Sequence, residues 1–113
     1  MTSNHSNPYA ETDPPRHDID LQPGATLLEF GSNDCGICAA AQPRIGQALA
    51  AYPHIRHIKI EDGRGRRLGR SFGVKLWPTL VFLQDGQEIA RLVRPQQDQP
   101  IQDALARLAE AQA

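Results

Sequence analysis

The sequence predicts an α/β domain built on a mixed central sheet, part parallel and part antiparallel, with helices flanking it. Three observations lead there. Apolar runs of strand length recur at 26–30, 55–60 and 78–83. A helical period separates the first two, which makes a β-α-β unit whose strands must run parallel with a right-handed crossover. Asp85-Gly86 then divides 78–83 from a fourth run at 88–93, and that dipeptide is a hairpin signal for an antiparallel pair. With 113 residues, of which 40% are apolar, the chain has material for one compact core.

Taken in order, the first two dozen residues are polar and carry Pro8, Pro14, Pro15 and Pro23. Residues 1–20 are expected to form a flexible tail, with one short ordered stretch near 18–21, and residues 21–113 a single domain. The first strand, 26–30, lies between Gly24 and Gly31, and its apolar character suits a buried position. Gly31-Ser32-Asn33-Asp34 is turn chemistry that leads into Cys35. From 35 to 52 the spacing is helical, with Ala41, Ile45 and Leu49 four residues apart and Ala48 and Tyr52 beside them. Pro43 predicts a kink within this helix, and Pro53 ends it.

Residues 55–60 follow as the second strand. Gly63, Gly65, Gly69 and Gly73 then leave room for only a short helix at 66–71. The hairpin strands come next. A last helix starts near Gln99 and Pro100, proline being well suited to a first turn, and its apolar stripe is Ile101, Ala104, Leu105 and Leu108.

Composition narrows the function. Twelve basic and thirteen acidic residues leave a net charge of -1, which offers no general attraction to nucleic acid or anionic membrane. The Arg64, Arg66, Arg67, Arg70 cluster has only Phe72 as an aromatic companion, so it is read as a solvated turn. No stretch approaches the roughly 18 apolar residues of a membrane span. The opening residues lack the basic-then-apolar pattern of a secretory leader, and the expected compartment is the cytoplasm.

Both cysteines of the chain fall in Cys35-Gly36-Ile37-Cys38. A bridge between them would close almost no loop and stabilise little, so the pair is better explained by chemistry than by stapling. The pair sits where a strand hands over to a helix. Unpaired N–H groups and the positive end of the helix dipole there favour thiolate, and Cys-x-x-Cys nucleophiles have pKa values of about 3.5–7.5. Cys35 is expected to be the exposed nucleophile and Cys38, one turn inside, the resolving thiol. The competing zinc reading adds His54 and His57, but two residues separate them where about three to five are usual.

At this point the chain resembles the thioredoxin family. Pro43 follows the second cysteine by five residues, Glu29 precedes the first by six, and Lys59 stands on the neighbouring strand. Pro78, in Trp77-Pro78-Thr79, matches the family's cis-proline, and Asp85-Gly86 matches the hairpin after it. The resemblance runs from about Glu29 to Gly86. It implies a thioredoxin fold and a thiol–disulfide oxidoreductase that reduces disulfides of partner proteins, with Cys35–Cys38 as the redox disulfide. It implies no metal or organic cofactor, a monomer, and a separate disulfide reductase for regeneration. Glu29 would be a partly buried carboxylate with a raised pKa that takes the Cys38 proton through a water, and Lys59 would hold that carboxylate in place. Trp77, Pro78, Thr79 and Arg94 would contact the substrate.

The departures from the family pattern also matter. Asp34 replaces the usual Trp, Gly36-Ile37 the usual Gly-Pro, and Arg94 a substrate-facing glycine. An anion at Asp34 opposes a Cys35 thiolate, and the lack of a His between the cysteines argues against a strong oxidant. These residues support a second reading, a thioredoxin-fold chaperone or assembly module whose cysteine pair is vestigial or regulatory.

Overall fold

Alternation of apolar runs with helical periods gives the chain more strand surface than it can leave exposed, and the sheet is covered on both sides. A computed structural model describes residues 8–111. In chain order its elements are α1 (Arg16–Asp20), β1 (Ala25–Gly31), α2 (Gly36–Leu49), β2 (Arg56–Glu61), α3 (Arg67–Ser71), β3 (Thr79–Gln84), β4 (Gln87–Val93) and α4 (Asp98–Ala111). The four strands lie in the order β2-β1-β3-β4. β1 and β2 run parallel, and the other two pairings are antiparallel.

β1 is central and buried along its whole length, which is why it reads as a nearly continuous apolar run. One face of the sheet packs Leu27, Leu80 and Phe82 against Ile45 and Leu49 of α2 and against Ile101, Leu105 and Leu108 of α4. The other packs Leu28, Phe30, Val81 and Leu83 against Ile19 of α1, Leu68 of α3 and Phe72. Each fully buried apolar side chain contributes about 1.5–3 kcal/mol relative to exposure, so both layers are needed to hold the sheet. α2 continues through Pro43 to Leu49, and Pro100 lies in the first turn of α4.

The tail expected over 1–20 does not hold from residue 8 onward, while 1–7 lie outside the described residues. Ala10 N donates to Lys59 O at 2.9 Å, and Glu61 N donates to Ala10 O at 2.8 Å, which adds one bridge beyond β2. Tyr9 and Ile19 are 5% and 1% exposed. Asp13 Oδ2 accepts from Leu68 N at 2.9 Å, and the Arg16 guanidinium lies 3.7 Å from the Phe72 ring centre. Two isolated apolar residues anchor this segment, too few to form a period that a sequence window would register.

Register places the site. Phe30, near the end of β1, pairs with Thr79 at the start of β3, and Thr79 pairs with Val93 at the end of β4. The Cys35 turn, Pro78 and Arg94 therefore share one end of the sheet.

Candidate active site

Chain leaving β1 turns through 32–34 and enters α2 with Cys35 as its N-cap. Cys35 has extended backbone angles, φ -97° and ψ 113°, and its Sγ accepts from Cys38 N at 3.1 Å. A sulfur held on a helix-start N–H is favourably placed to carry negative charge. Cys35 is partly exposed and Cys38 is buried, and both are free thiols here. Burial first, and then the hydrogen bond with Cys35, push the Cys38 thiol up to about 11; contacts with the Ser32 backbone and Tyr9 act in the opposite direction. The pair thus has an accessible member and a protonated reserve one turn behind it.

Glu29 lies in the middle of β1, in register with Lys59 of β2 and Leu80 of β3, and is fully buried. Its carboxylate is surrounded by donors. The Tyr9 phenol donates to Oε2, Gln42 Nε2 donates to Oε2 at 2.8 Å, and His57 Nε2 sits 2.8 Å from Oε1. Lys59 Nζ donates to Gln42 Oε1 at 2.8 Å and lies 4.7 Å from the Tyr9 ring centre. One expectation changes. Burial alone would raise the Glu29 pKa, but the hydrogen bond and charge of His57, with those of Tyr9 and Gln42, hold it below the ordinary value. Tyr9, Gln42 and His57 hydrogen-bond the carboxylate, and Lys59 attracts it by charge while holding the Gln42 amide. Burial pushes the Lys59 pKa down, with Glu29 and Cys38 opposing.

Three members of this cluster were missed by sequence reasoning. His57 and Lys59 are two apart on one strand and so share a face, a signal that period-2 reading offers. Gln42 is one helical turn beyond Cys38, and its Nε2 also donates to Cys38 O at 2.9 Å. Tyr9 gave no local signal, since its partner Glu29 lies 20 residues away. With His57 Nε2 engaged by Glu29, the zinc reading loses a ligand. Among the described residues no three His, Cys, Asp or Glu side chains group to hold a metal.

Gly31 is the residue the cluster cannot replace. A Cβ there would lie 2.6 Å from the Tyr9 phenol oxygen and 2.9 Å from Cys38 Sγ. Only glycine lets these two groups approach over the strand end.

The expected substrate residues divide. The Trp77–Pro78 peptide is cis. Trp77 is half-buried, and its Nε1 donates to Asp62 Oδ2 at 2.9 Å. Arg94 is exposed in the left-handed region at φ 51°, where the glycine of the family pattern would be unstrained. Its Nε donates to Trp77 O at 2.8 Å and its N to Pro78 O at 2.8 Å. Thr79 does not offer its side chain as expected: it is 1% exposed, and its hydroxyl donates to Leu76 O at 2.6 Å. Ile37, Leu76 and Val93 are instead exposed apolar side chains, sequence neighbours of Cys35–Cys38, Trp77 and Arg94 respectively.

Comparison with known proteins agrees with this geometry. The chain is 48% identical to thioredoxin 2 from Pseudomonas aeruginosa PAO1, whose reduced-form structure superposes with a TM-score of 0.84 over 93% of this chain and 97% of that one. A thioredoxin from Chlamydia muridarum is 31% identical over 70 residues, 62% of this chain and 69% of its own length. Thioredoxin Asp f 28 from Aspergillus fumigatus is 27% identical over 70 residues, 62% of this chain. The chain spans less than two thirds of that protein's length, 65%. The sequence profile of the Thioredoxin family matches residues 11–107, from before α1 into α4, and the chain belongs to the thioredoxin family.

Proposed function

We propose that this chain is a protein thiol–disulfide oxidoreductase that reduces disulfides of partner proteins through a mixed disulfide on Cys35. The observation that carries the reading is the asymmetry of the pair: Cys35 Sγ accessible on the Cys38 N–H, and Cys38 buried behind it. Cys35 thiolate attacks one sulfur of the substrate disulfide, forming a Cys35–substrate bond and releasing the other sulfur as a thiol. Cys38 then loses its proton and attacks Cys35. The Cys35–Cys38 disulfide forms, the second substrate thiol leaves, and two electrons and two protons have passed to the substrate. The exposed Ile37, Leu76 and Val93, with the backbone at Pro78, form the surface against which an extended substrate segment rests. A separate disulfide reductase restores the dithiol, and the protein works as a cytoplasmic monomer in electron transport for redox homeostasis.

The same exposed apolar residues favour the second reading, a non-covalent chaperone or assembly module. Cys38→Ser separates the two. With the resolving thiol gone, the variant incubated with disulfide-containing proteins accumulates adducts through Cys35 that dithiothreitol releases, while wild type turns the disulfides over. Absence of both adducts and turnover refutes the oxidoreductase and leaves the binding module.

A further inference from the structure

Resolution of the mixed disulfide requires a proton to leave Cys38, a thiol that is 1% exposed. Glu29, the nearby carboxylate, is itself fully buried. The Tyr9 phenol stands between them. Its oxygen and Cys38 Sγ lie over the same Gly31, 2.6 and 2.9 Å from the position of a Cβ there, which makes the two groups neighbours. The phenol's one proton is directed at Glu29 Oε2. Its oxygen accepts from Gln42 Nε2 at 3.3 Å, which leaves a second lone pair free to take a proton from Cys38. A phenol with its proton on one partner and a lone pair open to the other can accept and donate in a single event.

We propose that Tyr9 is the proton-transfer residue of the resolving step, passing the Cys38 proton to Glu29 through its own hydroxyl. The assignment rests on the oxidoreductase reading. The Cys38 S–H bond breaks as a new O–H bond forms on Tyr9, while the original Tyr9 proton moves to Glu29 Oε2. Tyr9 ends neutral, Glu29 protonated and Cys38 a thiolate that attacks Cys35. The departing substrate thiolate takes a proton from water, and Glu29 later returns one, so the totals are unchanged. Burial and the charge of Glu29 drive the phenol's pKa far upward, which keeps phenolate out of the sequence. The charged or titratable groups facing Tyr9 are Glu29, Cys38 and Lys59, and behind Glu29 stands His57. Once Cys35 is bonded to substrate, its sulfur no longer raises the Cys38 pKa, so the transfer becomes easier at the moment it is needed.

The test uses the full chain and 5,5′-dithiobis(2-nitrobenzoate). Attack by Cys35 releases one thionitrobenzoate, and attack by Cys38 on the mixed disulfide releases the second, as two optical phases. Tyr9→Phe keeps the ring and the Tyr9 N to Asn33 Oδ1 bond of 2.9 Å. The first phase should be unchanged and the second slowed on the order of 10²-fold, the scale of positioned proton transfer. In the variant the second phase should rise with hydroxide across about pH 5 to 9, because Cys38 must then give its proton to bulk water. Glu29→Gln should behave alike, and the double variant no worse than the slower single one, as for two links in series.

A second phase within about twofold of wild type, with the same pH profile, overturns the assignment. A merely structural Tyr9 would lower the melting temperature and leave the pH slope alone. If Tyr9→Phe does not fold, 3-fluorotyrosine incorporated in a Tyr52→Phe background decides. It must alter the second phase and spare the first, and two unchanged phases overturn the assignment. A wild-type protein that shows no second phase refutes the oxidoreductase reading itself.

Discussion

Glu29 and Cys38 are both buried and ionisable, yet their surroundings drive them opposite ways. Cys38 has few groups to hold a negative charge, so burial keeps its proton on, up to about 11. Glu29 is equally cut off from water, but donors from Tyr9, Gln42 and His57 replace its hydration and keep it ionised. The sign of the stability effect follows. Glu29 is more acidic in the folded chain than in the unfolded one, so it stabilises the fold above its unfolded pKa of about 4.3. That contribution is lost as pH falls through the lower folded value. Glu29→Gln should therefore flatten the acid limb of the stability curve below about pH 4.3, measured as melting temperature against pH. An acid limb as steep as that of wild type would mean that other carboxylates carry it.

Elements are joined here by contacts that a single atom can break. The β3–β4 turn holds Asp85 and Gly86 at φ 51° and 81°, positive at both central positions as a tight hairpin demands. The turn is also a docking point: Asp85 Oδ1 accepts from Gly24 N at 2.7 Å, and a Cβ on Gly86 would strike the Asp20 carbonyl at the end of α1. Backbone cannot move aside as a side chain can. Gly86→Ala should lose about 2 kcal/mol or more, combining left-handed strain with that clash, read as a shift of the urea midpoint at unchanged slope. The hairpin signal of Asp85-Gly86 was visible in the sequence, because turn geometry depends on the residues of the turn itself. The Asp20 contact was not, because it joins segments far apart along the chain.

Across the whole molecule, the redox poise reflects how well each thiolate is stabilised. Strong oxidants owe their potential to a stabilised thiolate in the reduced form. Here Cys38 is held as a thiol, no His lies between the cysteines, and Asp34 adds a negative charge beside Cys35. The reduced form gains little, so the disulfide should be hard to reduce. A Cys35–Cys38 potential near about -270 mV is expected from equilibration with a glutathione series, followed by Trp77 fluorescence. A value above about -200 mV would contradict this account and place the protein among oxidants or isomerases.

From β1 onward, the order of strands and helices and the cysteine pair at a helix start were determined by the sequence. Apolar period, turn chemistry and the Cys-x-x-Cys spacing are properties of a few consecutive residues, and packing here did not override them. The tertiary structure decided the rest. Tyr9, Gln42 and His57 converge on Glu29 from three separate segments, 20, 13 and 28 residues away in the chain. That convergence turns an expected high-pKa base into an ionised carboxylate, and it turns an expected tail into part of the site. The physical reason is that a buried charge takes its pKa from whichever donors surround it, and only the register of β1 against β2 and the path of residues 8–10 beside them bring those donors together.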